Sequence, residues 1–252
     1  MSSAQIRGPR RITVVGTGTG IGKTHVGVAL VSALAARGCR VCGMKPIESG
    51  VTEGVRTDGV QLAEVSAVPP GRAPFGFEPP VSPHLAARQA GVDIALGAVK
   101  SWVEAQEAEV QVVETAGALL SPLGARTTNL DLTRALQGQG LVLVGVDRLG
   151  VLHEVAACRL ALRVLAPELP APVVVLNAPE VEDASTGSNA GELQVLGIAE
   201  VVVEMPRGDA RGAGARAAAE AVLARLEGRG GKSVDGSAPG AGPLRFRRGS
   251  EG

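Results

Sequence analysis

Nine residues near the start of the chain constrain it more than any other stretch. Gly16 to Thr24 read GTGTGIGKT, at the end of the β-branched run RITVVG (11–16) and just before apolar residues at helical spacing. Glycines let a backbone fold tightly, so that successive N–H groups face inward on an anion. The start of the following helix adds partial positive charge. Lys23 can reach the outer phosphates of a nucleotide, and the Thr24 hydroxyl is placed for Mg²⁺. The loop is one residue longer than the common version, because Thr17 stands where the usual pattern has its first Gly and Gly16 lies one position further back. The dinucleotide fingerprint G-x-G-x-x-G does not fit, since counting from Gly16 and Gly18 its third Gly falls on Ile21.

The rest of the chain alternates strand and helix. RVCGMK (40–45), VQVVE (110–114), LVLVGV (141–146), PVVVLN (172–177) and AEVVVE (199–204) read as strands. THVGVALVSALAARG, stopped by Gly38, reads as a helix, as do SPHLAARQAG, IALGAVKSWVEAQEA, TNLDLTRALQ, VLHEVAACRLALRVLA and RAAAEAVLARLE. The stretch 68–83 is rich in Pro and Gly and is expected to be irregular. The strands are continuous apolar runs, as in a sheet buried on both faces. The fold class is therefore α/β: a mostly parallel β-sheet with helices on both faces, like the P-loop NTPases. Ligands of such sheets bind at the carboxyl ends of the strands.

Residues 1–10 are expected to be a disordered leader, 11–227 a single domain, and 228–252, where Gly, Ser and Pro make up 13 of 25 residues, a disordered tail. The net charge of zero conceals a division: residues 11–227 carry 18 basic against 23 acidic side chains, while both ends are basic. No global field draws the chain to nucleic acid or membrane, and with no Tyr, one Trp and three Phe it lacks stacking platforms for single strands. No apolar run approaches the ~20 residues of a spanning helix. Three cysteines without a framework suggest a reducing compartment, the cytoplasm. Cys39 and Cys42, three apart at a strand, are expected on opposite faces and in the core rather than at a metal.

Candidate chemistry lies at the strand ends. Glu114 closes VQVVE and is followed by the small residues Thr115, Ala116 and Gly117; it reads equally as a Mg²⁺ ligand or as a solvated strand end. Asp58, in RTDG before a helical run, reads by itself as a helix N-cap. Lys45 ends the second strand in MKPIESG. It either points at the same crevice as Lys23, suiting a phosphoryl transfer that builds up negative charge, or extends to solvent.

Together these pieces resemble dethiobiotin synthetase. That family's G-T-x-T-x-(V/I)-G-K-T is matched by Gly16, Thr17, Thr19, Ile21, Gly22, Lys23 and Thr24, including the longer loop. Its K-P-x-x-(S/T)-G is matched by Lys45, Pro46, Ser49 and Gly50, its helix-opening Asp by Asp58, and its S-P-H by Ser82, Pro83 and His84. Its V-E-G-A-G-G is here Val113-Glu114-Thr115-Ala116-Gly117-Ala118, so Thr115 and Ala118 replace glycines. Its L-G-x-x-N-H is here Leu149-Gly150-Val151-Leu152-His153-Glu154; a Glu154 facing the substrate's carboxylate tail would repel it.

The resemblance implies an ATP-dependent cyclo-ligase of biotin biosynthesis, a homodimer that uses MgATP to join CO₂, or bicarbonate, to 7,8-diaminononanoate and close the ureido ring. It implies Lys23 and Lys45 as the catalytic cations, and Thr24, Asp58 and Glu114 around Mg²⁺. It implies Thr19 and Ser49 at the diamine. Gly20, Ile21, Gly22, Lys23, Thr24, His25, Asp58, Glu114, Thr115, Ala116, Gly117, Asn177, Ala178 and Pro206 would surround the nucleotide, with Asn177 at the adenine edge. The competing reading is a related P-loop ATPase with another substrate or a regulatory switch role. Partitioning-type switches usually carry a lysine early in the loop, where this chain has Gly18.

Overall fold

The computed structural model describes residues 11–229; the expected leader and all but the first two residues of the expected tail lie outside the described residues. In chain order the elements are β1 (Arg11–Gly16), α1 (Lys23–Ala36), β2 (Val41–Met44), β3 (Ile47–Ser49), α2 (Asp58–Glu64), β4 (Phe75–Phe77), α3 (Pro83–Gln89) and α4 (Leu96–Glu104). There follow β5 (Val110–Glu114), α5 (Asn129–Leu136), β6 (Gly140–Val146), α6 (Val151–Leu165), β7 (Val173–Asn177), α7 (Asn189–Val195), β8 (Val202–Met205) and α8 (Ala213–Arg229).

Six strands form one parallel sheet in the order β2-β5-β1-β6-β7-β8. Side chains alternate across it. Ile12, Val14, Val142, Val144, Val173 and Val175 pack under α1 and α8. Val15, Leu141, Leu143, Val174 and Leu176 pack under α6 and α7, and Cys42, Met44 and Val113 under α3, α4 and α5. Both faces are thus covered, which is why the strands read as unbroken apolar runs. Cys39 and Cys42 join clusters on opposite faces of the sheet, both buried.

Three short elements depart from the sequence reading. Within the stretch expected to be irregular, Phe75–Phe77 pairs in parallel with Ile47–Ser49 to make a two-stranded ribbon, and the Phe75 and Phe77 rings stack at 6.5 Å. The ribbon is held by burial of Ile47 and Phe77 against α3, a tertiary contact that local Pro and Gly content does not reveal. The seven-residue α7 carries too few apolar positions for its period to show.

Candidate active site

The strand ends converge on the 16–24 loop. Gly22 caps α1 with φ 81°, and a Cβ there would stand 2.5 Å from Asn177 Nδ2, so conformation and contact both demand glycine. Asn177, at the end of β7, donates from Nδ2 to the carbonyls of Ile21 (2.6 Å) and Gly22 (3.1 Å), fixing the loop to the sheet. Its Oδ1 is buried and accepts no hydrogen bond. Lys23 Nζ lies across the loop and donates to Gly18 O at 3.0 Å. Burial lowers the Lys23 ammonium to about 8; Glu114 offsets part of this effect and Lys45 adds to it.

Beside the loop is a compact ionic group. Glu114 is wholly buried at the end of β5, not solvated. Its Oε1 accepts from Thr24 Oγ1 (3.1 Å) and from Lys45 Nζ (2.9 Å). Lys45, just past β2, also forms an ion pair with Asp58, so it does not extend to solvent. Burial raises the Glu114 carboxyl despite the lysines near it. Burial alone would lower the Lys45 ammonium, but Glu114 and Asp58 outweigh it and hold it above the ordinary lysine value.

Asp58 is not the N-cap of α2. Thr57 is, its hydroxyl accepting from Val60 N–H, while Asp58 is the first helical residue. The same turn is held by Glu48, whose Oε1 accepts from Gly59 N–H at 3.0 Å. With the cap supplied by Thr57, the Asp58 carboxylate is free to meet Lys45.

The 115–118 segment lies against the loop. Leu119 N–H donates to Gly16 O at 2.8 Å, and Thr115 N–H to Val14 O at 3.0 Å. The Thr115 hydroxyl is buried and donates to that same carbonyl at 3.3 Å, so a threonine is accommodated where the family has glycine. Neither Thr115 nor Ala118 needs positive φ; that requirement falls on Gly117, at φ 80°. A Cβ on Gly117 would stand 2.9 Å from Ser121 Oγ and 3.6 Å from Thr19 Oγ1, which brings Thr19 to this segment. Asn129, the first residue of α5, is buried and donates from Nδ2 to the carbonyls of Ala116 and Ala118, holding the segment in shape. Sequence reading missed Asn129; its one trace is a polar side chain at a helix start. Ser49 is partly exposed at the end of β3, on the ribbon rather than in the ionic group.

A groove of about 590 Å³ runs from the loop along the ends of β6 and β7. Thr19, Gly20, Ile21, Gly22, His25, Asn177, Ala178 and Pro206 all line it, together with Arg148. His25 Nε2 lies 3.0 Å from Pro206 O, closing one wall. A second cavity of about 740 Å³ opens beside Lys45 between α2 and the ribbon. For a hard cation, Thr24, Asp58 and Glu114 supply a hydroxyl and two carboxylates, and Glu114 Oε2 is buried without a partner. Among the described residues no group of three or more His, Cys, Asp or Glu is placed to hold a metal ion. Mg²⁺ needs only one or two carboxylates when phosphate oxygens and water complete its shell, so these residues fit it.

A family profile described as an AAA domain matches residues 10–210. The chain is 39% identical over 204 residues to the ATP-dependent dethiobiotin synthetase BioD of Anaeromyxobacter dehalogenans, covering 78% of this chain and 90% of that protein. It is 36% identical over 186 residues to the enzyme of that name from Nitrosospira multiformis, covering 72% of this chain and 81% of that one. Among solved structures, a ParA family ATPase from Chlorobium tepidum superposes with a TM-score of 0.51 at 14% identity, covering 88% of this chain and 96% of that one. At that identity the likeness is one of fold. The profile spans the sheet from β1 to β8, and the named relatives align over most of their own length. This chain belongs to the dethiobiotin synthetase family.

Proposed function

We propose that this protein is an ATP-dependent dethiobiotin synthetase and that its reaction takes place where the loop meets the Lys45–Glu114–Asp58 group. The observation that carries this reading is that group: a lysine held charged by two carboxylates, one of them wholly buried, beside Lys23 and Thr24. One amine of 7,8-diaminononanoate adds to CO₂, drawn from bicarbonate, and loses a proton to give a carbamate. A carbamate oxygen attacks the γ-phosphorus of ATP, ADP leaves, and a carbamic–phosphoric anhydride forms. The second amine attacks the anhydride carbon, phosphate leaves, and the five-membered urea closes.

In this scheme Lys23 and Lys45 stabilise the negative charge on the carbamate and on the phosphoryl group in transfer. The loop N–H groups and the start of α1 hold the β- and γ-phosphates. Thr24, Asp58 and Glu114 would hold Mg²⁺, which neutralises charge on the phosphate oxygens. Thr19, Ser49 and backbone groups in 114–118 would hold the diamine or its carbamate, and the groove at Asn177, Ala178 and Pro206 would take the base. The free Asn177 Oδ1 offers an acceptor to an amino group on that base. We place this catalytic unit within residues 11–227, working as a homodimer in the cytoplasm. The dimer is supported by apolar side chains exposed on and beside α6, and the compartment by three unpaired cysteines.

The test is to incubate the purified protein with MgATP, bicarbonate and 7,8-diaminononanoate and to look for dethiobiotin by mass spectrometry. Dethiobiotin formed with one ADP per ring is the expected result, and Lys45→Ala should abolish most of it while ADP still binds. ATP turnover that ignores the diamine would overturn the reading.

A further inference from the structure

The longer loop raises a physical question: what holds its extra residue? Thr17 N–H donates to Val144 O at 2.9 Å, continuing the sheet, and its methyl faces Gly145 of β6. Its hydroxyl donates to Glu154 Oε2 at 2.8 Å, across 137 positions of sequence. Glu154 sits in the first turn of α6, and its Oε1 accepts from Arg148 Nη2 at 2.9 Å. Arg148 is one wall of the base groove. Both oxygens of Glu154 are thus engaged, one by the phosphate loop and one by the groove, and its charge is matched by the guanidinium. Glu154 stands where the family pattern has His, and the repulsion expected of it toward a carboxylate tail is met by Arg148 instead.

We infer that Glu154 is a positioning residue for the nucleotide: it pins Thr17, and with it the start of the phosphate loop, while holding Arg148 at the groove. The inference rests on the nucleotide reading above. A hydrogen bond to a charged acceptor fixes a flexible glycine loop before the nucleotide arrives, so its loss appears as weaker nucleotide binding rather than slower chemistry.

Calorimetric titration with ADP and steady-state kinetics with ATP test this on the full chain. Thr17→Val, which removes the hydroxyl at constant shape, should raise the ADP Kd and the ATP KM about tenfold with kcat within about twofold. Thr17→Ser should restore both. Glu154→Ala, which also releases Arg148, should weaken binding at least as much as Thr17→Val, and the double variant should be no worse than Glu154→Ala alone, because Glu154→Ala already removes the bond to Thr17. If Glu154→Ala folds poorly, Thr17→Val and Thr17→Ser still decide the matter. ADP binding by Thr17→Val within twofold of the parent, or losses that multiply in the double variant, would overturn the inference. Failure of the parent protein to bind ADP would instead overturn the nucleotide reading itself.

Discussion

At Glu114 one buried oxygen meets both a hydroxyl and an ammonium, and the charge count around it is what keeps the site intact. Removing one partner of such a group leaves an uncompensated buried charge, which costs far more than the pair contributes. Cys42 shows the opposite case, a buried group that stays neutral. Burial pushes its thiol up to about 11, from an ordinary value near 9. A thiol raised in the fold stabilises it fully below the unfolded value, and that contribution is lost as pH rises toward the folded one. The urea midpoint should therefore fall between pH 9 and pH 11, and Cys42→Ala should flatten that part of the profile. An unchanged slope in the variant would assign the loss to other groups. Residues of the loop were legible because Lys23 and Thr24 are contiguous with the glycines. Lys45, Asp58 and Glu114 were ambiguous alone and became legible only as parts of a family pattern. The Thr17–Glu154 bond and the Asn129 brace were not legible, because each joins positions whose proximity only the folded sheet creates.

Elements show the same division by range. The six sheet strands and the longer helices were readable because their apolar residues recur with a clear local period. The ribbon of β3 and β4 was not, since three-residue strands have no period to read and owe their existence to α3 beneath them. Helix α2 shows how an element serves a site. Seven residues long, it is too short to stand alone, and its start is held by Thr57 and Glu48. Thr57→Ala should lower stability by about 1 kcal/mol in urea titration and cut activity as well, because the turn that loses its cap carries Asp58. Thr57→Ser, which keeps a capping oxygen, should recover both. Loss of stability with activity intact would show that the cap does not govern Asp58.

Across the whole molecule, the surface near α6 stands out. Leu149 (76% exposed), Leu160 (44%), Val164 (64%) and Leu165 (53%) lie on or beside a helix whose other side packs on the sheet. Apolar side chains grouped in this way suit a second copy of the chain. Leu160→Lys with Val164→Lys should convert a dimer into a monomer in sedimentation velocity without loss of helix content; a parent protein that sediments as a monomer would remove the proposal. The sheet order carries a different consequence, one of timing. The first strand of the described residues, β1, lies between β5 and β6, with Arg11 beside Gln111 and Ile12 beside Gly140. During synthesis it has no neighbour until the chain has passed residue 114, and lacks the second until residue 146. At ribosomal rates that wait is on the order of 10 s. The phosphate loop, though it precedes most of the sheet in the chain, is among the last parts to gain its walls. A growing chain of this kind carries exposed Val and Ile for much of its assembly, which makes it a customer for holding chaperones and leaves its yield sensitive to how fast it is translated.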